Sequence, residues 1–242
     1  MPLKSIVVTA IVAFAAGLVF ASFAGYELFI PGLLEGTWIT IQITVGGALL
    51  AVVAAFIAAL ARMYGPAPIR WLASAYIEVF RGTSALVQLF WLFFVLPQLG
   101  VTLSPMTSAI LALGLNIGAY GAEVVRGAIN GVSRDQWEAT IALNMSRGLA
   151  LRRIILPQAF VAMIPPWGNL FIELLKSTAL VSLITISDLT FRAQQMNQAT
   201  FRTLEIFTLV LLIYLGISLL ITFGMRALER VATGGIVRGR AS

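Results

Sequence analysis

Of the chain's 242 residues 60% are apolar and only 11% charged, whereas an ordinary soluble domain carries about a quarter charged residues. Its solvent is therefore lipid, with room for roughly five or six spans at ~20 residues each. The net charge of +6 sits at the ends of apolar runs rather than on one basic face, which speaks against nucleic acid, and the absence of Cys and His removes disulfides, a thiol nucleophile, the usual metal ligands and the usual general base.

In chain order, long apolar stretches predict spans over residues 6–24, 38–61, 75–96, 106–125, 167–186 and 206–225. Lys4, Arg62, Arg70, Arg126, Arg134, Arg147, Arg152, Arg153, Arg226, Arg230, Arg238 and Arg240 all fall on one side of the alternating path. Basic residues near span ends mark the cytoplasm. The other side receives the segment around Glu27 and Glu35, the turn 98–105 and a loop over 187–203. The expectation is an all-α polytopic bundle: an N-terminal hydrophobic segment (1–30), a membrane domain (31–230) and a cytoplasmic tail (231–242). The N-terminal segment, with Lys4 ahead of an apolar run and Ser22 and Ala24 behind it, reads as a retained span or as a secretory leader. Gly114 with Gly118, and Gly127 with Gly131, have the spacing at which helix backbones approach closely in lipid.

Between the fourth and fifth spans, residues 129–166 form an unusually long connection. A helix is expected over 133–143, opened by Ser133 as N-cap with Asp135 in its first turn. Trp137, Ala139, Ile141 and Ala142 would give it a compact apolar surface. A basic amphipathic stretch follows over 149–155, and Pro157 and the pair Pro165-Pro166 are expected to stop or bend it.

The run Glu138-Ala139-Thr140, then Asn144, then Ile154-x-Leu156-Pro157 resembles the "EAA" loop of permease subunits of bacterial ATP-binding-cassette (ABC) importers. Thr140 and Asn144 depart from that pattern, which has Ala and Gly there. Asn is the residue that best replaces Gly in a left-handed turn. The stretches YIEVFRGTSALVQLFW, with Glu78, Arg81, Gly82 and Thr83, and AYGAEVVRGAI, with Glu123 and Arg126, are similar to the polar amino-acid (histidine/glutamine-type) branch. The resemblance implies a MetI-like, type I importer fold in the bacterial inner membrane. It also implies that Gln136, Trp137, Glu138, Ala139 and Thr140 belong to a coupling helix seated in a separate ATPase subunit. The further partners implied are a second permease copy or paralogue and an external solute-binding protein. No Gly-x-x-x-x-Gly-Lys-Ser/Thr loop exists for nucleotide, so ATP hydrolysis is expected on another chain, and no cofactor or metal is expected in this one. Ser84, with the stretch EATIALNMS over 138–146, is most like the permeases for ectoine and hydroxyectoine, against a general polar amino-acid importer.

Ionisable residues within spans are functional candidates. Glu78 with Arg81, Glu123 with Arg126, and Glu173 with Lys176 have i, i+3 spacing and can pair along one helix. Asn116, Gln88 and Asn169 are either interhelical hydrogen-bond partners or path residues. Asn169, Glu173, Lys176 and Ser177 are expected to face a translocation path. A secondary transporter is the competing class, but internal repeats of the kind such proteins usually show are not visible.

Overall fold

The computed structural model describes residues 13–14, 16–17 and 26–240, with side chains through 233. Apart from those four early positions, the expected span over 6–24 and its leader-like reading lie outside the described residues. Everything described after residue 26 is helix or short connection, and four helices, or five counting one bent pair, are long and apolar enough to cross a membrane.

Helix α1 (Ile30–Tyr64) starts with Pro31 in its first turn and ends at Gly65-Pro66. Its 35 residues span about 52 Å at ~1.5 Å per residue, well beyond a ~30 Å hydrocarbon core. The next span differs from expectation. The single crossing predicted over 75–96 is two arms, α2 (Ala67–Gly82) and α3 (Ala85–Phe90), the latter prolonged by a wide helical turn (Trp91–Val95) and a tight one (Leu96–Leu99), and the arms meet at 108°. Thr83 and Ser84 are extended at the break. Backbone left unpaired in lipid costs several kcal/mol per group, so the break needs side-chain partners, and a hydropathy window cannot see them.

Helix α4 (Pro105–Asn130) opens on Ser104, whose hydroxyl accepts from the Thr107 amide at 3.1 Å. It runs parallel to α1 at close range. A Cβ on Gly114 would lie 3.0 Å from the Gly47 carbonyl oxygen, one on Gly118 3.0 Å from the Ala54 Cβ, and one on Gly121 2.5 Å from the Trp167 ring and 3.0 Å from the Ala55 Cβ. The Gly114/Gly118 spacing therefore makes one tight crossing within the chain. A Cβ on Gly127 would meet nothing within 4 Å, so the second glycine pair packs against no neighbouring helix.

The long connection is mostly helical: α5 (Arg134–Ala142), α6 (Arg147–Ala150), a wide turn (Leu151–Ile155), α7 (Leu156–Ser177) and a tight turn (Thr178–Ile184). Pro157 falls in the first turn of α7, where its missing N–H is harmless. Pro165 and Pro166 lie inside α7 without ending it, as membrane helices tolerate. Of the expected stop or bend at the prolines, the stop is thus corrected. The segment 187–203, expected as a loop, contains α8 (Leu189–Thr200), which leads into α9 (Thr203–Arg240). Asp188 caps α8, accepting from the amides of Thr190 and Phe191 at 3.2 and 3.0 Å. The Thr40 hydroxyl of α1 accepts from the Leu189 amide at 3.2 Å. The main core gathers Ile43, Leu113, Ile117, Ile155 and Leu174 between α1, α4 and α7.

Candidate functional site

The exposed helix α5 is shaped at both ends. Ser133 is extended ahead of it, but its hydroxyl makes no capping bond, which corrects the expected side-chain cap. The C-terminal end follows the expectation for Asn144. Its φ is 54°, its amide donates to the Ile141 carbonyl at 2.9 Å, and the Met145 amide donates to the Thr140 carbonyl at 3.0 Å. This is a Schellman closure with Asn where Gly is usual.

The surface of α5 differs from the sequence reading. Trp137 is half-buried against the core. Thr140, expected in the helix seated against an ATPase, is 4% exposed and donates to the Trp137 carbonyl at 2.7 Å. A helix must bury one stripe against its own bundle, and these residues are that stripe. The Gln136 carboxamide accepts from Gln158 of α7 at 3.0 Å, tying the two helices together. Ile154 and Leu156 are half-buried against the core, and Pro157 is exposed. What α5 shows outward is Glu138, Ala139, Ala142, Ile141 (74% exposed) and, just past its end, Leu143 (72%).

A charge cluster joins the C-terminal ends of α1, α2 and α4. Glu123 accepts from Arg62 at 2.8 Å and from Arg126 at 2.9 and 2.6 Å, and Arg81 stands 3.8 Å away. Glu78 pairs with Arg62 at 3.4 Å. Glu123–Arg126 thus pair as the spacing predicts, whereas Glu78–Arg81 do not. The packing of three helices gives each a partner from a different helix, and Arg81 also lies 5.5 Å over the Tyr120 ring. Arg62 as the bridging cation was missed, since it stands 61 residues from Glu123.

At the break of the bent span the Asn116 amide donates to the Phe80 carbonyl (2.9 Å) and to Gln88 (3.2 Å). The Gln88 amide reaches the Phe80 carbonyl (2.9 Å) and the Thr83 hydroxyl (2.6 Å). Thr83 in turn donates to the Val79 carbonyl at 2.7 Å, and the Tyr76 hydroxyl donates to the Leu115 carbonyl at 2.7 Å. Asn116, Gln88 and Thr83 therefore satisfy the carbonyls that the break releases. Gly82 and Ser84 are exposed beside it.

On α7, Asn169, Glu173 and Lys176 are exposed along one stripe while Leu174 and Leu175 between them are fully buried; Ser177 is half-buried. Glu173 and Lys176 form no ion pair with each other or with any described residue, contrary to the pairing their spacing suggested. Leu174 lies against Gly47, next to the Gly114 crossing, which puts this stripe at the middle of α1 and α4.

A multi-pass bundle with one side-chain-stapled helix break, an unneutralised polar stripe and one short exposed helix turning apolar residues outward has the features of a membrane transport subunit. The chain belongs to the family of binding-protein-dependent transport system inner membrane components, whose profile matches residues 47–233. It is 47% identical over 205 residues to the probable amino-acid ABC transporter permease of Sinorhizobium fredii, covering 82% of this chain and 86% of that one. It is 40% identical over 205 residues to the L-cystine transport system permease of Bacillus subtilis, covering 84% and 88%. A solved amino acid ABC transporter with histidines aligns at a TM-score of 0.79 and 35% identity, covering 87% of this chain and 97% of that one. The chain is an ABC importer permease, a multi-pass inner-membrane protein rather than an enzyme.

Proposed function

We propose that this permease carries a small zwitterionic polar amino acid along the α7 stripe and that α5 docks a separate ATPase subunit. The carrying observation is the unpaired Glu173 and Lys176 on one exposed face at mid-bundle. Unpaired charges in lipid are expensive, and a zwitterion crossing the membrane needs both signs to replace its water. The names of the relatives support amino acids as the substrate class. Ectoine or hydroxyectoine is the narrower reading, supported by the resemblance at Ser84 and 138–146; the solute retained by the cognate binding protein separates the two. The outward Glu138, Ala139, Ile141 and Leu143 suit a groove on an ATPase. A second permease copy or paralogue would close the other side of the path.

The test uses the complex reconstituted in proteoliposomes with its ATPase and binding protein. Lys176→Met is expected to abolish uptake and substrate-stimulated ATP hydrolysis while assembly and basal hydrolysis persist. Glu173→Gln with Lys176→Met removes both charges and is expected to stay inactive. Restored uptake in the double variant would refute a path role for the pair.

A further inference from the structure

Below the α7 stripe, a cavity of about 200 Å³ opens between α7 and α9, lined on one side by Gly168 and Asn169 and on the other by Thr222, Arg226 and Glu229. It has room for roughly six waters at ~30 Å³ each, the bulk of a small amino acid. It continues the same helical face, since Asn169 precedes Glu173 by four residues and Lys176 by seven. A Cβ on Gly168 would lie 3.3 Å from the Met225 side chain, so a glycine keeps the two helices close beside the cavity.

Its charges are unlike those of the Glu123 cluster, where the central carboxylate is held by arginines. Arg226 and Glu229 are spaced for an i, i+3 pair on α9, yet neither has an ion pair or a side-chain hydrogen bond among the described residues. Both are half-buried and both line the cavity. The Thr222 hydroxyl donates to the Ser218 carbonyl at 2.8 Å, which leaves its oxygen free to accept. The Asn169 carboxamide, which lines the cavity, makes no hydrogen bond among the described residues and offers both a donor and an acceptor.

We infer that this cavity is an inner station for the zwitterion, with Arg226 binding the substrate carboxylate and Glu229 its ammonium group, assisted by Thr222 and Asn169. A cation and an anion held apart in one small cavity are complementary to an α-amino acid, whose ammonium and carboxylate groups are both attached to one α-carbon. The inference rests on the amino-acid reading above and adds a second stop, on the cytoplasmic side of Lys176 and Glu173, because α7 runs outward from the cytoplasm and α9 inward.

The experiment measures binding of radiolabelled L-glutamine, L-arginine and L-cystine to the permease–ATPase complex in nanodiscs. Each amino acid's methyl ester, which lacks the carboxylate, and N-acetyl derivative, which lacks the ammonium group, serve as competitors. Arg226→Gln is expected to weaken the parent amino acid roughly 10- to 100-fold while leaving the methyl ester unchanged. Glu229→Gln does the same for the parent against the N-acetyl derivative, and Arg226→Lys restores part of the loss. Equal loss for parent and analogue, or no loss, overturns the station and leaves the permease reading standing if ATP-driven uptake persists. If Arg226→Gln changes only the response to added anionic phosphatidylglycerol, a lipid headgroup occupies the cavity and the inference fails. If the unaltered complex binds and transports none of the three amino acids, the substrate class itself is wrong and the station falls with it.

Discussion

Replacing Glu123 with Gln removes the one anion on which three arginines converge while keeping its shape. Two of its contacts are charge-assisted hydrogen bonds, to Arg62 at 2.8 Å and to Arg126 at 2.6 Å, and the Glu123 side chain is only 20% exposed. Each such bond contributes ~1.5–3 kcal/mol. Arg126 is 43% exposed and regains water when released, so its share falls toward that of a surface pair. Arg62, 29% exposed, keeps only the longer contact to Glu78. The expected loss is roughly 3 kcal/mol, which lowers thermal unfolding in detergent by about 10 °C for a chain of this size. Arg81→Gln, removing a partner at 3.8 Å, is expected to cost under ~1 kcal/mol. A Glu123→Gln complex melting within ~2 °C of the unaltered one would refute the view that the cluster holds α1, α2 and α4 together.

Asn144→Gly is expected to preserve ATPase stimulation, because Gly adopts φ 54° without strain. Asn144→Val should cost ~1–2 kcal/mol locally and reduce coupling, read as transport per ATP hydrolysed. Asp188 is fully buried and burial pushes its pKa up to about 6 from 3.8, against the opposing amides of Phe191 and Thr190. The folded state then binds a proton that the unfolded chain has lost between about pH 4 and 6. Stability is therefore highest below this window and declines by roughly 3 kcal/mol as pH rises through it. Asp188→Asn should flatten that decline and raise the melting temperature at pH 7.5; an unchanged pH profile would assign the slope elsewhere.

Composition alone determined that lipid is the solvent, because the burial cost of charge acts on every span separately. The left-handed turn at Asn144 was equally legible, since φ depends on one residue's own sterics. The broken span was not. Thr83 and Ser84 sit inside an apolar window, and what makes the break tolerable is Asn116, 36 residues from the Phe80 carbonyl it satisfies. Pairing of charges also escaped the sequence: i, i+3 spacing supplied the right partner for Arg126 and the wrong one for Glu78. Helical spacing makes a pair available, but the choice between neighbours falls to whichever oppositely charged group the packing brings nearest. Here the glycine crossing of α1 on α4 set Arg62 beside Glu123. It is an arrangement of two helices, and no local pattern along either one contains it.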